Sequence, residues 1–111
     1  MAEIVYENVI DPGTSLPARG GVGRDNFDVD GARTVHLLFG VGNPDPDISW
    51  RLIFGSSTGP VATTNSRNFG DDNIVAIAVP VFGPTLSLLL ESQSTQNETV
   101  FATIHFFREV P

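Results

Sequence analysis

Between Arg33 and Arg108 apolar side chains recur at every second position, in short runs that glycine, proline or polar residues bring to a stop. Successive side chains of a strand point to opposite faces, so this period buries one row and leaves the other outside. A helix would need apolar positions spaced three and four apart, and no stretch sustains that spacing. The pattern confines the chain to an all-β fold.

The rows can be assigned strand by strand. Arg33–Val41 puts Val35, Leu37, Phe39 and Val41 on one side, with Thr34, His36, Leu38 and Gly40 opposite. Ile48–Phe54 turns Ile48, Trp50, Leu52 and Phe54 inward and Ser49, Arg51 and Ile53 outward. Thr85–Glu91 has Leu86, Leu88 and Leu90 against Ser87 and Leu89. Thr99–Arg108 has Val100, Ala102, Ile104 and Phe106 against Phe101, Thr103, His105 and Phe107. Glu3–Ile10 reads as a first strand stopped by Asp11-Pro12-Gly13, and Asn73–Val81 as another, closed by Phe82-Gly83-Pro84. Pro60–Thr64 reads as a short edge strand, where proline is tolerated. Thr14–Asp25, with Pro17, Gly20, Gly21 and Gly23, reads as a surface loop or arm, and Asn65–Asn73 as a polar loop around Phe69.

Roughly seven or eight strands with turns at this spacing predict an antiparallel β-sandwich, jelly-roll-like. A length of 111 residues fits one domain, with residues 1–26 as first strand plus arm and 27–108 as sandwich core. At 41% hydrophobic and 17% charged, the chain can bury that core. Thirteen acids against six bases, all arginine, give a net charge of −7. Such a surface repels phosphate backbones and anionic lipid, so nucleic-acid and membrane partners are not expected. Without cysteine or lysine there is no thiolate, no Schiff base and no P-loop lysine. The opening MAEIVYE lacks the basic and apolar regions of a signal peptide, and location is left open.

Leu38, Ile53, Leu89, Phe101 and Phe107 fall on the rows opposite the core rows. Gathered on one sheet face, they would form an apolar patch of the kind that marks an interface. The expected partner is a second copy of the chain, because closed homo-oligomers are the commonest solution.

Several local patterns invite chemistry. Asn26-Phe27-Asp28-Val29-Asp30-Gly31 matches the first half of a calcium loop, which makes Asn26, Asp28 and Asp30 candidate ligands. The second half fails, because Leu37 stands where a bidentate Glu belongs. The competing reading is a solvated strand whose acids alternate with buried Phe27 and Val29. Gly55-Ser56-Ser57-Thr58-Gly59 has the form of a nucleophile elbow, but Pro60 and a strand follow instead of a helix, so a serine-rich turn is expected. His36 and His105 lie on second rows; on neighbouring strands they could share a metal with an acid such as Glu7, though a lone surface histidine is more often an ordinary side chain. Arg67, Phe69, Asp71, Asp72 and Phe82 make a candidate ligand loop for carbohydrate or another small molecule, whereas Trp50 belongs to the core. Asn97-Glu98-Thr99 is a glycosylation sequon read as incidental.

Val79-Pro80-Val81-Phe82-Gly83-Pro84-Thr85-Leu86-Ser87-Leu88, followed by a last strand ending Phe107-Arg108, resembles a group of small microbial and phage jelly-roll-like β-sandwich domains of unassigned function. Asp28-Val29-Asp30-Gly31 with Thr34-Val35 is similar to the early element of that group. The resemblance implies a module without transferable functional residues. The expectation is a non-catalytic structural or binding module that self-associates through an apolar sheet face. The alternatives are a carbohydrate- or small-ligand-binding domain, or an accessory domain of an enzyme working through Asp45, Asp47, Asp71 or Asp72.

Overall fold

The computed structural model describes residues 2–43, 47–56, 58–63, 67–69 and 73–109, with the backbone alone for Arg67 and Asn68. Among them lie nine strands and no helix, hence no helix long and apolar enough to cross a membrane. They are β1 (Ala2–Leu16), β2 (Gly21–Asp28), β3 (Ala32–Val41), β4 (Ile48–Ser56), β5 (Gly59–Thr63), β6 (Arg67–Asn68), β7 (Ile74–Pro80), β8 (Thr85–Ser92) and β9 (Glu98–Glu109).

Two antiparallel sheets form, with strand orders β1-β9-β3-β7 and β2-β8-β4-β5; the short β6 pairs with β4. The strand order, with β9 returning between β1 and β3 and β8 between β2 and β4, is that of a jelly roll. The all-β sandwich read from the sequence is what the chain adopts.

The inner rows meet between the sheets as anticipated. Val35, Leu37 and Phe39 from β3 and Val100, Ala102, Ile104 and Phe106 from β9 face Ile48, Trp50, Leu52 and Phe54 from β4 and Leu86, Leu88 and Leu90 from β8, all buried. Phe39 sits at the aromatic centre, edge-on to Trp50 with ring centroids 5.1 Å apart and to Phe69 at 5.9 Å. Edge-to-face pairs of this kind add to the stabilisation from area burial alone.

Two expectations are corrected. The glycine-rich segment is not an arm: β1 runs on through Asp11-Pro12-Gly13 to Leu16 by way of a bulge, and Gly21–Asp28 is a strand laddered to β8. Glycine is required there by close approach, since a Cβ on Gly23 would run into the Leu88 carbonyl oxygen. Nor does Asn65–Asn73 hold Phe69 outward. Arg67 and Asn68 pair with Trp50 and Ser49, and Phe69 is delivered into the core.

Phe39→Ala should cost about 3–5 kcal/mol, because truncating a fully buried phenylalanine leaves a cavity under two aromatic neighbours. Urea unfolding followed by emission of Trp50, the single tryptophan, measures the loss directly.

Candidate functional site

The two sheets turn very different outer faces to solvent. On the β2-β8-β4-β5 sheet the outer row carries Ser49, Arg51, Ile53, Ser87, Leu89 and Glu91. Arg51 and Glu91 form an ion pair there at 3.8 Å. Both side chains are substantially exposed, so this pair contributes little to stability.

The outer face of the β1-β9-β3-β7 sheet carries no such charge across its ladder. Tyr6 stands opposite His105, and Ile4 opposite Phe107, in the β1–β9 pairing. His36 is paired with His105 and Leu38 with Thr103 across β3–β9. On the edge strand, Ala78 pairs with His36, Ala76 with Leu38 and Ile74 with Gly40. Ile4, Tyr6 and Phe107 are 66%, 69% and 57% exposed, and Leu38 and Ile74 are exposed as well. Glu109 stands at the end of the outer row, opposite Ala2, and lines that end of the face together with Arg33. Among the described residues the middle of the face holds no acid, in a chain of net charge −7.

Aromatic and imidazole rings run across the middle of the face. His105 lies 5.9 Å from Tyr6, 6.1 Å from His36 and 5.7 Å from Phe107, centroid to centroid. Beside them Tyr6, His36, Leu38, Ala76, Ala78 and His105 line a shallow groove of about 450 Å³, floored by the small side chains of β7. Phe101 is half-buried: its pairing partner Gly40 has no side chain, and a Cβ there would come within 3.0 Å of the phenyl ring.

These positions redraw the patch expected from the sequence. Leu38, Phe101 and Phe107 do share one face, but Ile53 and Leu89 belong to the other sheet and point the opposite way. Row parity says that a residue faces away from the core; it does not say which sheet carries it. Ile4, Tyr6 and Ile74 join the same face, carried there by the alternations in β1 and β7.

The remaining candidates separate cleanly. Asn26 sits in a bulge of β2 with φ of 55°, its N–H donating to Ser87 Oγ at 3.0 Å. Both Asp28 oxygens are engaged: Oδ1 accepts from the Asp30 N–H at 3.0 Å, and Oδ2 accepts from Arg108 at 3.1 Å. Arg108 also binds the Glu3 carboxylate, so one guanidinium ties β1, β2 and β9 together at this end of the sandwich. The hydrogen bond to Glu3, foremost, raises the Arg108 pKa above its ordinary value and keeps it a cation. Among the described residues no three His, Asp or Glu side chains gather as a metal would require.

Ser56 ends β4 in a hairpin with β5, its hydroxyl 2.9 Å from Thr58 Oγ1, and Ser57 lies outside the described residues. The strand-to-strand turn has none of the context of a nucleophile elbow. In the candidate ligand loop Phe69 is core, while Asp71, Asp72 and the Arg67 side chain lie outside the described residues, as does Asp45. Phe82 is exposed, yet its ring packs edge-on against Phe54 at 5.7 Å. Glu7 is paired with inward-facing Ile104, on the opposite side of the sheet from the histidines.

No protein-family model matches the chain, and no curated protein matches it in sequence. Solved structures do share its fold. The infectious bursal disease virus VP2 subviral particle matches with a TM-score of 0.61 at 12% identity, over 97% of this chain and 32% of that one. A second infectious bursal disease virus structure, of the Gx strain, gives 0.53 at 14% identity over 96% and 32%. The protein of Bacillus endospore appendages, described as disulfide-linked pili, gives 0.52 at 11% identity over 99% of this chain and 92% of that one. The chain thus spans about a third of each viral protein and nearly all of the pilus protein. At these identities the likeness is one of fold.

Phe82→Ala should lower stability by about 0.5–1.5 kcal/mol through loss of the edge-on contact with Phe54. Equilibrium denaturation checks it, and an unchanged midpoint would show that the ring is not anchored to the sandwich.

Proposed function

We propose that this chain is a non-catalytic structural module that self-associates, a second copy covering the outer face of the β1-β9-β3-β7 sheet. The observation that carries the reading is the partition of charge. With a net charge of −7, two copies repel each other over most approaches. The middle of this face, which among the described residues holds no carboxylate, is where they can meet without setting acid against acid.

Size supports the same reading. Strands about 4.8 Å apart and roughly ten residues long, at about 3.3 Å per residue, give this four-stranded face on the order of 600 Å² in projection. Accessible surface exceeds projected area, so the face is commensurate with the ~800 Å² per partner of a standard stable interface. The exposed aromatic rings of Tyr6 and Phe107 are of the kind enriched at interface centres. A jelly roll in a viral particle and one in a pilus are both parts of assemblies, which fits this use of the fold.

Leu38→Glu with Phe107→Glu should leave the melting temperature of the dilute monomer nearly unchanged, because both side chains are exposed, and raise the dissociation constant about 100-fold or more through desolvated charge. Sedimentation velocity of the parent and the double variant reads both states. Ile53→Ser with Leu89→Ser, on the opposite sheet, should leave the mass unaltered. A parent chain that stays monomeric at the highest attainable concentration, or an oligomer that survives Leu38→Glu with Phe107→Glu, overturns the reading.

A further inference from the structure

We infer that His36 and His105 form half of a transition-metal site, which the same two histidines of a second copy complete. The inference rests on the self-association proposed above and names what the interface would hold at its centre.

The histidines are direct cross-strand partners on β3 and β9, the two middle strands of the sheet. His36 is exposed and His105 half-buried, with ring centroids 6.1 Å apart and planes inclined by 36°. A metal–nitrogen bond of about 2.1 Å places the metal roughly 3.2 Å from each ring centroid, so two imidazoles on one tetrahedral ion stand about 5.2 Å apart. The observed spacing exceeds that by roughly 1 Å, a gap that small χ rotations of two surface rings close. Two nitrogens alone make an open, weak site. Neither Glu7, on the other side of the sheet, nor any other acid among the described residues completes it.

Symmetry supplies the missing ligands. In an isologous dimer the residues nearest the two-fold axis meet their own copies. β9 and β3 are the two middle strands of the face, so an axis through its middle would set this pair against its own copy. Four neutral imidazoles then surround the ion in the tetrahedral geometry preferred by zinc, and imidazole also suits copper and nickel. Calcium and magnesium are held chiefly by carboxylate and carbonyl oxygens, whereas the side-chain oxygens beside the histidines are the hydroxyls of Tyr6 and Thr103. The excess positive charge of the ion is welcome between two acidic copies.

The test uses untagged, chelator-treated protein, titrated with zinc chloride by calorimetry and followed by sedimentation velocity, with magnesium chloride as control. The expected result is one zinc per two chains and association at least tenfold tighter with zinc than with chelator. His36→Gln and His105→Gln should each remove the zinc effect while the thermal melt of the chelated monomer stays put, and magnesium should do nothing. Association that is indifferent to zinc, chelator and both substitutions overturns the metal site and leaves self-association standing. One zinc per chain with no change in mass overturns the shared site. A monomer under every condition with no zinc bound overturns both readings.

Discussion

Pairing of the first strand with the last is the interaction on which the rest of the structure depends. β1 and β9 run antiparallel from Ala2 opposite Glu109 to Leu16 opposite Glu98. Because β9 pairs with β3 on its other side, this ladder makes the last strand an interior strand of its sheet. It also sets Tyr6 beside His105 and Ile4 beside Phe107, so half of the exposed aromatic face exists by virtue of that register. A one-residue slip would turn every side chain of β1 to the wrong side. Arg108, bridging Glu3 and Asp28, secures the ladder close to both chain ends. Contacts between residues so distant in sequence are slow to find and must be cooperative once made.

The interior and the outer faces follow different rules. Inside, alternating Val, Leu, Ile and Phe from both sheets meet, and burial of area decides the outcome. Outside, both sheets had the same freedom to be polar, and they used it differently. One carries hydroxyls and an Arg51–Glu91 pair; the other carries Ile4, Tyr6, Leu38, Ile74 and Phe107 around two histidines. This asymmetry on a small acidic domain is the observation from which the proposed self-association is argued.

Much of this was legible in the alternation. Inner and outer rows of β3, β4, β8 and β9 are where the period of two puts them, since a half-buried strand has no other way to satisfy both core and water. Phe69 and the glycine-rich segment depart from the sequence expectation for a shared reason. Polar, glycine-rich sequence looks like loop, yet Gly23 is small because the Leu88 carbonyl passes beside it, and Phe69 enters the core because Arg67 and Asn68 ladder onto β4. Those are demands of neighbours remote in the chain, and composition over a local window does not register them.

The sequence by itself determined that the chain is all-β, which side chains of the regular strands point inward, and that an acidic chain carries a surplus of outward apolar residues. Period and composition are local properties, so one strand suffices to read them. Which outward residues share a surface was decided by tertiary structure alone. The jelly-roll order set β3 beside β9 and β4 beside β8, sending Leu38 and Phe107 to one side of the sandwich and Ile53 and Leu89 to the other. It also brought His36 and His105, far apart in sequence, into direct opposition. Strand pairing is a long-range choice made by the whole core at once, and the pattern within a single strand carries no record of its neighbour.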